Sequence, residues 1–137
     1  MRSVRSLLVI AAIVAFAALV PVATASSGSS FSVTKTCDNL GTCTVVASDT
    51  AVLPAGTTEI YLGPEFGDPV LSSRVVIISS YAGGGTSTGD CTWPLRTATG
   101  VCTFAQGTGS LAGFHAHVTV SASPDFSLFY WDGTYRL

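Results

Sequence analysis

The stretch GTGSLAGFHAHVTVSA, residues 107–122, decides the fold class, because its second half alternates strictly. From Phe114 to Ala122 every second residue is apolar, and the residues between them are polar. Successive side chains of a β-strand point to opposite faces, so this pattern predicts a strand with one buried and one solvated face. We expect His115 and His117 to lie on the solvated face.

Similar runs recur along the chain at fairly even intervals, separated by turn residues. Examples are FSVTKTC (31–37), TTEIYLG (57–63) and VLSSRVVIISSY (70–81), whereas AGGGTSTGD (82–90) is typical of a flexible polar loop. No stretch has a clear helical period, so the pattern predicts an all-β domain of about eight strands. Short connections favour antiparallel neighbours, and closure removes exposed edges. We therefore expect a small closed antiparallel barrel.

The N-terminus has the features of a cleaved signal peptide. Arg2 and Arg5 precede an apolar run (7–20), and a small-residue pattern ends at Ala25. The run is shorter than the about 20 residues that a membrane-spanning helix needs. We predict a signal peptide over 1–25, a flexible leader over 26–30 and a single barrel domain over 31–137. The protein is then secreted and has no membrane attachment after cleavage.

The charge balance excludes one class of partner. Without Arg2 and Arg5, four basic residues remain against eight acidic ones, which leaves a net charge of −4. A chain with no basic patch is not expected to bind nucleic acid. The single lysine and single asparagine are typical of a GC-rich bacterial genome.

All four cysteines follow the predicted cleavage site, and an even count in a small exported chain indicates two disulfides. We favour the local pairs Cys37–Cys43 and Cys91–Cys102, each cross-linking a hairpin, over the two other arrangements. The rival interpretations are a zinc site and a nucleophilic cysteine. Neither the C-x5-C nor the C-x10-C spacing matches the usual zinc motifs.

A metal site is the alternative interpretation of the two histidines, since GSLAGFHAH fits the G-x5-H-x-H opening of the cupin metal motif. That motif next places a glutamate where this chain has Ser121 and Ala122, and it needs a third histidine, which the chain lacks. Two ligands make a weak, adventitious site. We predict no metal site and no cofactor.

Among the carboxylates, Glu59 stands apart because it lies inside the strand-like run TTEIYLG, whereas most others sit beside turns. An outward Glu59 is the favoured interpretation on an alternating strand. An inward Glu59 would be a desolvated acid with a raised pKa, and it is the single candidate catalytic residue.

Aromatic residues supply the candidate ligand contacts, because such clusters either form a core or line an apolar pocket. The candidates are Tyr61, Trp93, Phe114, Phe126, Tyr130 and Tyr135. The run RVVII (74–78) is apolar on both faces. One face should fill the core. The other would expose apolar side chains, which predicts a subunit interface in a homo-oligomer, either a trimer or a dimer.

The last third of the chain, CTFAQGTGSLAGFHAHVTVSASPDFSLFYWDGTYRL (102–137), resembles the closing strands of the allene oxide cyclase and dirigent barrel superfamily. The glycine turn at 107–113 and the aromatic strand with LFY at 128–130 and Tyr135 carry the match. The resemblance implies an eight-stranded barrel with an apolar cavity, often trimeric. It also implies enzymes that cyclise or orient lipid or phenolic intermediates with few catalytic groups, such as a buried carboxylate. The two cysteine pairs depart from that family, and the early strands carry no matching catalytic motif.

Three functions remain open. The favoured one is a secreted barrel that binds a small apolar or aromatic molecule, or a surface partner. The second is a cofactor-free cyclase or isomerase, and the third is a secreted interaction or inhibitor module with a filled core. An apolar cavity with an inward Glu59 would favour catalysis, an apolar cavity alone would favour ligand carriage, and a filled barrel would favour interaction.

Overall fold

The computed structural model describes residues 28–67, 70–94, 96–97 and 99–137, and these residues form a closed barrel of antiparallel strands. The eight strands are β1 (Ser29–Cys37), β2 (Thr42–Ser48), β3 (Thr58–Gly67), β4 (Val70–Ser79), β5 (Gly85–Pro94), β6 (Thr99–Gly107), β7 (His115–Ala122) and β8 (Phe129–Arg136). Each strand pairs with the next along the chain, and β8 pairs with β1 to complete the circle. The predicted fold class is confirmed.

β1 begins earlier than the sequence predicts, and a predicted loop contains the first half of β5. The predicted signal peptide (1–25) lies outside the described residues, and β1 already begins at Ser29, within the predicted leader. The prediction of a loop over 82–90 is wrong beyond residue 84, because β5 begins at Gly85 and pairs with β4 and β6. Its inward side chains are small, which is why the apolar alternation that marks other strands is missing. No helix in the described part of the chain is long and apolar enough to cross a membrane.

The interior is filled by side chains that alternate inward along each strand, as a barrel of this size requires. Trp131 is fully buried at the centre, and its ring lies 5.4 Å from that of Phe104. Gly89 makes room for Phe104, because a Cβ atom added at Gly89 would lie 2.7 Å from Phe104 Cε1. Small and large residues therefore pack against each other across neighbouring strands.

The two predicted disulfides are confirmed, and no free cysteine occurs among the described residues. Cys37 and Cys43 face each other on β1 and β2, with their Cα atoms 3.9 Å apart. Cys91 and Cys102 face each other on β5 and β6 at 4.1 Å. Directly opposed residues of antiparallel strands are close enough for such a cross-link. Each disulfide therefore joins two neighbouring strands.

The two ends of the barrel differ. At one end, which we call the closed end, Leu53 of the β2–β3 loop and Leu111 and Phe114 of the β6–β7 connection are fully buried and join the core. The opposite end carries the β1–β2 turn and the β7–β8 turn (123–128). We call it the open end, because apolar side chains there remain partly exposed around a groove described below.

The outer surface of β3 and β4 is also apolar. Val75 and Ile77 fill the core, whereas Ile78 points outward and is 43 % exposed, as expected for a run that is apolar on both faces. Leu62 on β3 is 47 % exposed on the same outer surface, and Ile60 and Val76 between them are half-buried. We call these four residues the outer apolar face.

Candidate functional site

The centre of the barrel contains a buried ion pair. Lys35 of β1 and Glu59 of β3 are both fully buried, and Lys35 Nζ donates a hydrogen bond to Glu59 Oε2. Lys35 follows Phe31 and Val33 on the inward face of β1, so the alternation of the strand carries a charged side chain into the core. A buried charge needs a partner of opposite charge, and Glu59 supplies it.

Two aromatic side chains complete the surroundings of Lys35. Its Nζ atom donates to the Tyr61 hydroxyl oxygen at 2.7 Å and lies 3.8 Å from the centre of the Trp131 ring. An ammonium group over an aromatic face is attracted to the π-electrons of the ring. We call Lys35, Glu59, Tyr61 and Trp131 the polar core. Glu59 Oε1 and Trp131 Nε1 are buried without a hydrogen-bond partner among the described residues.

Burial controls the ionisation of this cluster. Desolvation lowers the pKa of Lys35, although the charge of Glu59 opposes the shift. Desolvation likewise raises the pKa of Glu59, against the effect of Lys35. The pKa of Tyr61 is raised well above its ordinary value, first by burial and then by the negative charge of Glu59. Tyr61 therefore stays protonated and can act as a hydrogen-bond donor.

The favoured outward orientation of Glu59 is wrong, since its side chain is fully buried inside the barrel. The alternative interpretation, a desolvated inward acid with a raised pKa, describes it correctly. On β3, Ile60 and Leu62 occupy the outer face instead, because Lys35 compensates the charge inside. Sequence analysis missed Lys35, although a lone lysine in register with Phe31 and Val33 is the signal of a buried cation that requires an acid.

A groove of about 470 Å³ lies at the open end. Its apolar walls come from β4, β5, β8 and the β7–β8 turn, and include Leu71, Trp93, Phe126 and Phe129. The Trp93 and Phe129 rings meet edge to face at 6.2 Å, and those of Phe126 and Phe129 are 6.4 Å apart. The Trp93 indole is fixed by a hydrogen bond from Nε1 to the Thr97 carbonyl at 3.0 Å. A groove of this volume accommodates a small organic molecule.

Phe126 projects from the β7–β8 turn beside this groove and is 66 % exposed. Its φ is +56°, a left-handed conformation that is strained for a residue with a side chain. Asp125 holds the turn by accepting hydrogen bonds from the hydroxyls of Ser123 (2.6 Å) and Ser127 (2.9 Å) and from the Ser127 amide (3.2 Å). These bonds lower the pKa of Asp125 to about 2. The turn is thus fixed in a shape that exposes a large apolar side chain.

A second, smaller cavity of about 50 Å³ adjoins the groove, because both have Leu71 and Trp93 in their walls. Its other lining includes Tyr61 of the polar core, Ser73 and the Cys91–Cys102 disulfide. The groove, the cavity and the polar core therefore follow one another from the open end toward the centre of the barrel.

The aromatic candidates from the sequence separate into two groups. Tyr61, Trp93 and Phe126 line the groove or the adjoining cavity. Phe114 and Tyr135 stack at 5.9 Å among the core residues toward the closed end, and Tyr130 is half-buried on β8 outside both spaces. Leu71 and Phe129 also line the groove, but no sequence signal distinguishes them from ordinary core residues.

The histidines lie apart from these spaces. His117 is exposed and His115 half-buried on the outer side of β7, opposite the buried Ala116 and Val118. No group of three or more histidine, cysteine or acidic residues in the described ranges is arranged to hold a metal ion.

Comparisons with protein-family models, with curated proteins and with solved structures found no match to this chain. The resemblance of residues 102–137 to the allene oxide cyclase and dirigent superfamily stays a prediction.

Proposed function

We propose that this protein binds a small, planar, apolar molecule in the groove at the open end of the barrel, as a carrier acting after secretion. The observation that carries this proposal is the exposed ring of Phe126, held beside the groove by a strained and extensively hydrogen-bonded turn. Backbone strain of this kind costs about 1–3 kcal/mol and is concentrated at functional sites. The aromatic walls favour a flat occupant, because aromatic rings stack on or pack edge to face with other rings.

The shape of the interior supports binding at the rim of the barrel rather than deep inside it. The closed end is filled by Leu53, Leu111 and Phe114, and the space beside Tyr61 measures only about 50 Å³. A drug-sized molecule needs several hundred cubic ångströms, about 300 Å³ or more. The groove of about 470 Å³ meets this requirement and the inner cavity does not.

The neutral dye N-phenyl-1-naphthylamine tests the proposal, because its fluorescence rises when it enters an apolar site. We expect saturable binding with one dye per chain. Phe126→Ala and Trp93→Ala should each weaken binding about tenfold, because each removes an aromatic wall. Tyr81→Ala is the matched control, since Tyr81 is an exposed aromatic residue in the β4–β5 connection at the other end. Absence of saturable binding, or equal effects of all three variants, contradicts the proposal.

A cofactor-free cyclase or isomerase is the second candidate function, and the inward Glu59 favours it. Glu59 has a raised pKa and one oxygen without a partner, which are properties of a general acid or base. Native mass spectrometry of protein from culture supernatant would identify any bound molecule to use as a substrate. Under this alternative, Glu59→Gln abolishes turnover while dye binding in the groove persists. If the wild type binds neither the dye nor any small molecule from the supernatant, the filled barrel favours the third function, a protein-interaction module.

A further inference from the structure

The hydrogen bonds of Lys35 determine what Tyr61 can do. When both groups of the ion pair are charged, Lys35 has donors and no acceptor, and it donates to Glu59 and to the Tyr61 oxygen. When the proton lies on Glu59 instead, the carboxyl O–H donates to Nζ, and Nζ still has hydrogens to donate to Tyr61. The Tyr61 oxygen therefore accepts a hydrogen bond from Lys35 in both protonation states.

The hydroxyl hydrogen of Tyr61 is then free for another acceptor. Among the described residues, the groups that interact with the Tyr61 hydroxyl are Lys35, which donates to it, and Trp131, whose indole N–H is likewise only a donor, so neither takes the hydroxyl hydrogen. Because the pKa of Tyr61 is raised, the phenol stays protonated in the folded protein at neutral pH, and its O–H remains available. A buried hydroxyl donor gains from an acceptor that reaches it.

Tyr61 is also the hydroxyl donor best placed to meet a ligand. It lines the small cavity that shares Leu71 and Trp93 with the groove. The single hydroxyl hydrogen of Ser73, in the same wall, is already shared between the carbonyl oxygens of Arg74 (3.0 Å) and Leu62 (3.3 Å). Thr92 is exposed on β5, where it alternates with the inward Cys91 and Trp93.

We infer that the molecule bound in the groove carries an oxygen acceptor, such as a ketone or aldehyde carbonyl, at its inner end, and that this oxygen passes Leu71 and Trp93 to accept a hydrogen bond from Tyr61. This inference rests on the proposed function and names the chemical class of its ligand. A cavity of about 50 Å³ has room for a polar group of one or two heavy atoms but not for a ring. Tyr61 thus selects among flat apolar molecules, and Lys35 positions Tyr61 as a donor.

Two probes of nearly the same shape test the inference: 2-acetylnaphthalene, which has a carbonyl group, and 2-ethylnaphthalene, which has none. Their affinities are measured by displacement of N-phenyl-1-naphthylamine from the wild type and from Tyr61→Phe. We expect the ratio of ketone affinity to hydrocarbon affinity to fall about tenfold in Tyr61→Phe, while the hydrocarbon affinity stays within about twofold. Tyr81→Phe removes an exposed hydroxyl and should leave both affinities unchanged.

An infrared measurement on the wild type keeps the test independent of the variant's stability. A hydrogen bond lowers the stretching frequency of a carbonyl group, so the bound ketone should absorb at a lower frequency than the same ketone in cyclohexane. If both probes bind the wild type but the ratio of affinities and the carbonyl frequency do not change, the assignment of Tyr61 is overturned and the proposed function stands. If neither probe displaces the dye, the proposed function itself fails.

Discussion

Lys35 and Glu59 form an ion pair across the barrel interior, although their strands are not neighbours and the residues are 24 positions apart. β2 lies between β1 and β3, so the two side chains meet by pointing into the same small volume rather than by facing each other across a ladder. The pair therefore fixes which face of β1 and which face of β3 point inward at the same time.

Breaking this ion pair should destabilise the protein more than removing it. Lys35→Met or Glu59→Gln alone leaves a buried group without its partner, and we expect a loss of about 3–5 kcal/mol in the free energy of unfolding. The double variant Lys35→Met/Glu59→Leu should lie within about 1 kcal/mol of the wild type or be more stable. Urea denaturation followed by far-UV circular dichroism measures all three.

The exposed pair Arg74–Asp90, at 3.8 Å on the outer surface, is the matched control. Its removal should change stability by less than about 1 kcal/mol, because solvent screens exposed charges. Additive losses in the Lys35/Glu59 double variant would contradict the coupling that the buried geometry requires.

Tyr61 should make the protein sensitive to alkali. Its pKa is raised in the folded state, so its contribution to stability is complete below its ordinary pKa of 10.0 and is lost as the pH rises above that value. We expect the absorbance of Tyr61 phenolate at 295 nm to appear only together with unfolding. In Tyr61→Phe, the part of the 295 nm absorbance that appears only with unfolding should be missing. Its survival in the variant would show that another tyrosine produces it.

Asp125 should control the β7–β8 turn at the acid end of the pH range. Its pKa is lowered to about 2, so its stabilising hydrogen bonds are complete above its ordinary pKa of 3.8 and are lost as the pH falls through about 2. The Ser127 amide resonance should report this transition in an NMR titration, since that amide donates to Asp125. Asp125→Asn should abolish the transition and weaken dye binding beside Phe126. A midpoint near 3.8 in the wild type would contradict the prediction.

The two disulfides should contribute comparable stability. The cysteines are 6 and 11 positions apart in sequence, and loop-closure entropy predicts about 2.4 and about 2.8 kcal/mol for loops of these lengths. Replacing both cysteines of one pair by alanine and measuring denaturant unfolding tests each value separately. The paired substitution avoids a free thiol. A loss close to zero for either pair would show that the strands hold their register without the cross-link.

The outer apolar face should mediate self-association. We expect a dimer or trimer in light scattering coupled to size exclusion, because Leu62 and Ile78 are nearly half exposed on one continuous sheet surface. Ile78→Lys should yield monomers with unchanged dye binding. Thr119→Lys, an exposed position on β7 away from β3 and β4, provides the control. A wild-type monomer at high concentration would contradict this expectation.

The barrel and its disulfides were predictable because alternation and cysteine spacing are local signals. β7 shows this most clearly, since Ala116, Val118 and Val120 all face inward as expected. The orientation of β3 was not predictable from its own residues, because one face offers Ile60 and Leu62 and the other Glu59 and Tyr61. Hydrophobicity favours the first pair inside, and only the lysine on another strand reverses the choice. The groove likewise depends on residues of several strands and one turn, so no single segment encodes it.

Pairing of β1 with β8 makes the barrel wall depend on its first and its last strand, with Ser29 opposite Tyr135 and Val33 opposite Trp131. The barrel can close only after β8 has been synthesised, because β8 is the strand that joins β7 to β1. Until then β1 and the last strand made expose unpaired backbone, which is prone to pair with other chains. When β8 pairs with β1, Trp131 also comes into contact with Lys35. Closure of the barrel and burial of the lysine therefore occur together.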